Sequence, residues 1–323
     1  MNIVVTGGAG FLGTQIIQEL LKRKDAGQSP IEFTQITAID MREAAVQDPR
    51  VTSVVGDISQ RELYRQAITQ DTVGVFHLAA VMSGGSEENF DLAFDINVDA
   101  TRNLLETLRE CGSQARVVFT SSLAVFGGEL PNVVTDTFAT QPQSTYGAVK
   151  AIGELLVNEY SRKKFVDGRI CRVPTIAIRP GAPNTAASSF VSGIIREPLK
   201  GINTTLPAPL DMKLWISSPD AAVRSLVEVF SLSPEALPQW RVINLPGVTV
   251  TPREMLATLA ERAGEDTRNL VHQELDQRVI DIVGSWPQSF DTSTAQQLGL
   301  VGDAGFEEIY SNYVTSASGE EPI

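Results

Sequence analysis

The chain has 323 residues, 42% of them hydrophobic, and a formal net charge of −13. This length predicts one large domain with a smaller appendage. The negative charge disfavours nucleic acid and anionic membranes as partners, so a small molecule is the expected ligand. No apolar run approaches the roughly 20 residues that span a bilayer. Residues 2–7 are typical of a strand and a turn rather than a signal peptide, which predicts a cytoplasmic location.

Cysteine and histidine are too few to build most metal or nucleophilic sites. The two cysteines, Cys111 and Cys171, have no partner at metal-ligand spacing, so we expect reduced thiols. The two histidines, His77 and His272, leave no obvious metal site and no Ser-His-Asp triad. We therefore predict no metal and no chemical role for His77.

Apolar, β-branched runs alternate with helical patterns along the first half of the chain. Helical periodicity covers residues 11–21 and 98–108, and the predicted buried strands lie at residues 3–5, 36–39, 51–55, 73–76 and 116–119. Alternation of this kind predicts an α/β fold, a Rossmann-type doubly wound parallel sheet whose ligands bind beyond the carboxyl ends of the strands.

A glycine-rich turn follows the first strand and opens the first helix. Its spacing, Gly7-x-x-Gly10-x-x-Gly13, places backbone N–H groups and a helix N-terminus where a pyrophosphate would sit. Gly7 allows the tight turn, Gly10 the approach of the phosphate, and Gly13 the close packing of helix on sheet. We expect Phe11 and Leu12 of this turn to contact the cofactor as well.

Acidic residues follow the second and third strands. Asp40 can accept hydrogen bonds from ribose hydroxyls and would repel a 2′-phosphate, so NAD is favoured over NADP. Arg42 keeps NADP open as the alternative. Asp57 is suited to bind the adenine amino group, with Ile58 on the ring, or equally to cap the helix that follows.

The most informative spacing in the chain is Tyr146-x-x-x-Lys150, which places a phenol and an ammonium on one face of a helix. A cation beside the phenol favours the phenolate and so a general base. Ser122, at the end of the fifth strand, is positioned to orient a substrate oxygen. Asn97 is predicted to bond to the backbone and hold a water that relays protons to Lys150, or else to serve only as a helix-stabilising amide.

In this order the residues resemble the extended short-chain dehydrogenase/reductase family, which includes NAD-dependent epimerases and dehydratases. The resemblance covers roughly residues 1–180. It implies Tyr146 as acid/base, Lys150 and Ser122 as its helpers, Asn97 in support, and a homodimer formed through the helices near 98–110 and 146–163. It also implies cofactor contacts from Leu78, Ala79, Ala80, Tyr146, Lys150 and Pro174.

A closer resemblance, over about residues 76–230, is to family members that oxidise a four-carbon sugar acid to its 2-oxo acid. It rests on residues 79–84, 119–127 and 179–199. Arg179 could hold a carboxylate in bidentate fashion or form a structural salt bridge. With Ser83, Asn184, Ser122 and Tyr146 it completes the predicted substrate set.

The predicted organisation is a cofactor domain at 1–174, a mainly substrate-binding lobe at 175–315 with some segments returning to the sheet, and a frayed tail at 316–323. The predicted function is NAD-dependent oxidation of a short sugar acid at C2. A nucleotide-sugar epimerase or dehydratase with recycled NAD is the alternative. A non-catalytic NAD sensor is disfavoured because Tyr146, Lys150 and Ser122 are all present.

Overall fold

The structure is a computed structural model and describes residues 1–29, 31–181 and 185–318. Its strands are β1 (Asn2–Thr6), β2 (Gln35–Asp40), β3 (Val51–Val55), β4 (Thr72–His77), β5 (Arg116–Ser122), β6 (Asp167–Val173), β7 (Thr175–Ile176), β8 (Thr204–Leu206), β9 (Leu214–Ser217), β10 (Val242–Asn244), β11 (Val248–Val250) and β12 (Val271–Gln273). Its helices are α1 (Phe11–Asp25), α2 (Arg61–Ala67), α3 (Ser83–Glu88), α4 (Phe90–Phe94), α5 (Ala100–Cys111), α6 (Thr145–Arg162), α7 (Phe190–Arg196), α8 (Pro219–Ser231), α9 (Pro252–Ala263), α10 (Glu265–Arg268), α11 (Gln277–Gly284), α12 (Ser293–Gln297) and α13 (Phe306–Ser318).

Seven strands form the main sheet, in the order β10-β6-β5-β4-β1-β2-β3. Every neighbouring pair in it is parallel. The predicted α/β class and doubly wound parallel sheet are therefore confirmed, and each of the five predicted strands forms. Because the strands are parallel, their carboxyl ends lie at one edge of the sheet. The cofactor turn and the predicted catalytic residues lie at the same edge.

Both faces of this sheet are buried, which explains why its strands are continuously apolar rather than alternating. One apolar layer packs β1, β2 and β4 against α1 and α8, and the other packs the sheet against α2 and α5. Helix α8 is anchored at its end by the fully buried Arg169, whose guanidinium donates to the carbonyls of Val229 and Phe230. The C-terminal half of the chain thus covers part of the cofactor sheet.

A second group of elements, mostly from the C-terminal half of the chain, forms a smaller lobe. It contains a three-stranded sheet in the order β11-β9-β7 and a two-stranded β12-β8 sheet, and α7, α9, α11 and α13 contribute to its apolar core. Residues 316–318, predicted to belong to a frayed tail, form the end of α13, and residues 319–323 lie outside the described part of the chain.

Within the described residues no helix is both long and apolar enough to cross a membrane.

Candidate active site

A cavity of about 610 Å³ lies at the carboxyl edge of the main sheet. Its lining includes every predicted cofactor residue: Gly7, Gly10, Phe11, Leu12, Gly13, Asp40, Asp57, Ile58, Leu78, Ala79, Ala80, Tyr146, Lys150 and Pro174. Three of the predicted substrate or catalytic residues, Ser83, Ser122 and Arg179, also line it. Asn184 lies outside the described residues. Asn97 is not among the lining residues.

The glycine turn has space for a phosphate group, but its own positions have no room for a side chain larger than hydrogen. Gly7 has φ +72°, a conformation that favours glycine. A Cβ at Gly13 would lie 2.2 Å from the Gly7 carbonyl oxygen, so the first turn of α1 packs directly on the loop. Gly10 is the N-cap of α1 and has no side chain to occupy the helix N-terminus. This cradle fits a dinucleotide pyrophosphate.

Two carboxylates lie at the far end of the cradle. Asp40 ends β2 and accepts a 3.1 Å hydrogen bond from the Ala9 N–H, which fixes it beside the turn. Arg42 donates instead to the Ala9 carbonyl at 3.2 Å. Asp57 lines the cavity and accepts a 2.9 Å hydrogen bond from the Ser59 N–H, but it does not cap α2, whose N-cap is Gln60. The position of Asp40 suits a ribose diol.

Tyr146 and Ser122 come together across the cavity. Tyr146 lies in the first turn of α6, whose N-cap Ser144 accepts from the Gly147 N–H. Burial raises the pKa of Tyr146 to about 12, and its hydrogen bond with Ser122 opposes that rise. The Ser122 hydroxyl also accepts from the Ala124 N–H at 3.1 Å, which leaves its proton for a partner in the cavity.

Lys150, one turn after Tyr146, is 3% exposed and donates 2.8 Å to the Thr120 carbonyl. Its Nζ lies 5.7 Å from the centre of the Tyr146 ring. Burial lowers the pKa of the Lys150 ammonium to about 7. The sequence predicted that Lys150 would favour the phenolate, but without bound ligand the burial of Tyr146 dominates and its pKa is raised.

A buried ion pair supports the strand end that carries Ser122. Arg172 makes a bidentate pair with Glu154 at 2.8 and 2.7 Å, and the Ser121 hydroxyl donates 2.6 Å to the same carboxylate. Glu154 is one turn beyond Lys150 on α6. Helix α6 and strand β5 are thus joined by two contacts one helical turn apart, Lys150 with Thr120 and Glu154 with Ser121.

The Asn97 side chain bonds to the backbone, as predicted for its supporting role. Its amide accepts from the Val81 N–H at 2.8 Å and donates to the Val81 carbonyl at 3.1 Å. Asn97 lies in a π-helical turn, Asp95–Asp99, between α4 and α5. The extra residue in that turn directs the Asn97 amide toward the loop after β4, so Asn97 stabilises this wall of the cavity.

His77 connects this wall to Thr6, at the strand end before the cofactor turn, through hydrogen bonds. The Thr6 hydroxyl accepts from the N–H groups of Leu78 and Ala79, so its proton goes to His77 Nδ1 at 2.7 Å. His77 Nε2 therefore carries a proton and donates 2.9 Å to Thr101, which donates 2.8 Å to the Asn97 carbonyl. Burial lowers the pKa of His77 to about 3, so the ring is neutral.

Ser83 lines the cavity, and Gly84 next to it packs against the segment that begins at residue 185. The Ser83 hydroxyl accepts a 3.0 Å hydrogen bond from the Ala187 N–H, so the predicted substrate residue also fixes a wall. A Cβ at Gly84 would lie 2.2 Å from the Thr185 carbonyl oxygen. Only glycine permits this approach of α3 to the segment after residue 184.

Arg179 brings a positive charge to the same end. Its backbone is held on both sides, by the Ser192 hydroxyl at 3.0 Å and by the Arg196 guanidinium at 2.8 Å. Burial and the charge of Arg196 lower the pKa of Arg179, and the described residues provide no ion pair for it. A structural salt bridge is thus absent from this part of the chain, and the guanidinium can pair with a bound anion.

Several lining residues escaped prediction from the sequence, among them Met82, Ser188, Ser189 and Trp286. Ser188 and Ser189 fall inside the stretch 179–199 whose resemblance was noted, so position alone could have suggested them. No local signal marks Trp286, because its place in the cavity depends on the packing of the C-terminal lobe.

Sequence comparison shows which protein family the chain belongs to. Residues 3–215 match the NAD dependent epimerase/dehydratase family. The chain belongs to that family. D-erythronate dehydrogenase of Cupriavidus necator is 49% identical to it over 98% of this chain and 99% of the relative. D-erythronate dehydrogenase of Haemophilus influenzae is 42% identical over 97% and 99%.

One solved structure is also similar to this chain over nearly its whole length. The nucleoside-diphosphate-sugar epimerase from Agrobacterium tumefaciens has a TM-score of 0.89 and 36% identity, covering 99% of this chain and 95% of its own. Membership of the epimerase/dehydratase family, with these relatives, confirms the predicted cofactor NAD and the predicted class of NAD-dependent dehydrogenase. The glycine cradle and Asp40 are the residues that would hold NAD.

Proposed function

We propose that this protein oxidises D-erythronate at C2 to 2-dehydro-D-erythronate, with NAD as the hydride acceptor and Tyr146 as the general base. The main support is similarity to two D-erythronate dehydrogenases over nearly the whole chain. The two kinds of residue that such a reaction needs, a proton acceptor and a carboxylate partner, line one cavity.

Arg179 gives the substrate class a physical basis. A guanidinium binds a carboxylate through two parallel hydrogen bonds. Arg179 has no acidic partner among the described residues, and burial and the charge of Arg196 lower its pKa. A bound anion would therefore stabilise its charge. A sugar acid offers that anion at C1. Pairing C1 with Arg179 would direct C2 toward the hydroxyl groups of Ser122 and Tyr146.

The proton steps follow from the hydrogen bonds at this point. Ser122 accepts from the Ala124 N–H, so its own proton is available to the C2 oxygen. Tyr146, bonded to Ser122, takes the C2 hydroxyl proton. NAD, when bound, accepts the hydride and carries a positive ring charge that favours ionisation of a nearby phenol. Lys150 adds positive charge on the opposite side of the phenol while it is protonated.

The wall around Ser83 bears on the size of the substrate. The contact between Gly84 and the Thr185 carbonyl, together with the Ser83–Ala187 hydrogen bond, fixes α3 against residues 185–187 beside the cavity. A sugar acid of four to six carbons needs little space beside this wall, whereas a nucleoside diphosphate needs a longer groove. We therefore favour an acid over a nucleotide-sugar.

The test is absorbance at the reduced-nicotinamide band with purified protein, NAD and a panel of aldonic acids of four to six carbons. NADH formation with D-erythronate and not with hexonates is expected. NADH formation with hexonates alone would show that the substrate is a six-carbon acid and not D-erythronate. A panel with no NADH formation from any acid would refute the proposal.

A second candidate, a nucleotide-sugar epimerase with recycled NAD, is favoured by one observation, the 36% identity to a structure named as a nucleoside-diphosphate-sugar epimerase. The same experiment separates the two activities. An epimerase would convert nucleotide-sugars without releasing NADH, so epimer formation is followed by chromatography in parallel.

A further inference from the structure

Trp286 is the lining residue of the cavity that comes from farthest along the chain. The other described lining residues lie at or before Ser189, so this indole is how the last part of the C-terminal lobe reaches the cavity. Trp286 follows shortly after α11, where its backbone N–H donates to the Val283 carbonyl at 3.2 Å. Its place in the cavity is therefore set by the lobe and not by the cofactor domain.

The surroundings of α11 place Trp286 at the substrate end. Helix α11 packs against the 3-10 turn Ala187–Ser189, which carries the Ser83 hydrogen bond. Arg278 of α11 lies 3.5 Å from the Gly84 carbonyl. These contacts connect α11 to α3 and to the 3-10 turn, the two segments joined by the hydrogen bond of the predicted substrate residue Ser83.

The indole N–H of Trp286 has no acceptor. The side chain is 8% exposed, and its Nε1 is buried with no hydrogen-bond partner in the part of the chain that the structure describes. Buried donors in folded proteins are nearly always paired, and an indole N–H can only donate. An unpaired donor of this kind in the wall of a binding cavity calls for an acceptor from the ligand.

Tertiary packing holds the Trp286 ring in place. The residue belongs to the apolar core of the lobe, together with Trp215 and Phe290. Such packing fixes the ring before ligand binds, so little conformational freedom is lost when a hydrogen bond forms.

We infer that Trp286 positions the substrate by donating its indole N–H to an oxygen atom of the bound sugar acid. A carboxylate has room for this donor beside a bidentate guanidinium, since its two oxygens accept about four hydrogen bonds. The inference rests on the proposed function and adds the C-terminal lobe to the groups that recognise the acid. It makes Trp286 a determinant of specificity for oxygen-rich ligands, because an analogue without the accepting oxygen leaves the N–H unpaired.

The test compares Trp286→Phe with Trp215→Phe. Both tryptophans are 8% exposed and belong to one apolar core, but Trp215 is not among the lining residues. We expect Trp286→Phe to raise KM for D-erythronate about tenfold or more, the loss of one hydrogen bond to a charged group. Its KM for NAD should stay within about twofold, and Trp215→Phe should leave both constants near the wild-type values.

A second measurement does not depend on turnover. The chain has three tryptophans, so its indole N–H signals can be resolved by NMR and the Trp286 signal assigned by its loss in Trp286→Phe. Adding D-erythronate to the complex with NADH, which cannot react, should shift that signal. An unmoved signal and an unchanged KM in an active enzyme would overturn the inference alone, whereas a wild-type enzyme inactive on every aldonic acid overturns the proposed function and this inference with it.

Discussion

The Lys150 ammonium donates a 2.8 Å hydrogen bond to the backbone carbonyl of Thr120. Thr120 lies two residues before Ser122 on β5, and Lys150 lies one turn after Tyr146 on α6. One contact between a side chain and the backbone thus fixes the strand that carries Ser122 against the helix that carries Tyr146. Lys150 has a structural task in addition to its charge, and the two can be separated by experiment.

Replacing Tyr146 with Phe should remove the proton acceptor and leave the cavity almost unchanged in shape. We expect kcat to fall by a factor of about 10² to 10⁴, the usual contribution of a general acid or base. NAD binding, followed by protein fluorescence, should change less than about twofold. Tyr160→Phe, on the same helix but bonded to Glu106 at the surface, is the matched control and should keep full kcat.

Replacing Lys150 with Met should change how stability depends on pH. The native pKa of Lys150 is about 7 against 10.5 for an unperturbed lysine, so between these values the unfolded chain binds one more proton than the native protein. Wild-type stability should therefore rise with pH across this window, relative to the variant, by about 1.4 kcal/mol per pH unit. Below pH 7 the difference should be constant.

The measurement is chemical or thermal unfolding of both proteins without NAD at pH 6, 8 and 9.5. Lys163→Met, at the C-cap of α6, is the control for loss of a surface charge. Parallel stability profiles for wild type and Lys150→Met would show that the buried ammonium keeps an ordinary pKa.

Replacing Asp40 with Asn keeps an oxygen that can accept from the Ala9 N–H and removes the negative charge. The ratio of kcat/KM for NADP to that for NAD should rise about tenfold or more, because a 2′-phosphate no longer meets a carboxylate. Asp57→Asn, farther along the cavity wall, should leave the ratio unchanged. An unaltered ratio in Asp40→Asn would remove Asp40 from the selection of the cofactor.

Replacing Gly84 with Ala tests the wall around Ser83. The new Cβ would meet the Thr185 carbonyl oxygen, so α3 and the facing segment must separate. We expect KM for the acid to rise severalfold and the melting temperature to fall by a few degrees. Gly305→Ala, where a Cβ meets nothing within 4 Å, should alter neither value.

Apolar side chains exposed on α4 and α6 support the predicted homodimer. Phe90 on α4 and Leu155 on α6 are each 59% exposed, and α4 packs against α6. Leu155→Arg should convert a dimer into a monomer, as measured by light scattering after size exclusion. Leu275→Arg, 60% exposed on another part of the surface, should not, and a wild-type monomer would refute the prediction.

The cofactor half of the site could be predicted because its determinants are local. Gly7, Gly10 and Gly13 act within one turn, and Tyr146 and Lys150 within one helix, so spacing along the chain fixes their geometry. Asp40 and Ser122 end parallel strands, and parallel strands end at the same edge of a sheet.

The rest depends on contacts that spacing does not encode. Trp286 reaches the cavity from almost a hundred residues beyond Ser189, through the packing of the lobe. The bonds of the Asn97 amide to Val81 arise in a π-helical turn that the sequence pattern does not reveal. Burial raises the pKa of Tyr146, and burial depends on tertiary packing that no i, i+4 pattern reports.

The seventh strand of the main sheet, β10, enters the sheet beside β6 only after the chain has passed through much of the smaller lobe. Helix α8 precedes it and places the Phe230 ring over Gly74, 4.8 Å from the ring of Phe76. A fragment ending at residue 215, where the family match ends, would expose Phe76 and leave the edge of β6 unpaired. The two parts of this enzyme are therefore not exchangeable modules, and a chimaera that takes a new substrate lobe must keep α8 and β10 from the parent that supplies the cofactor sheet.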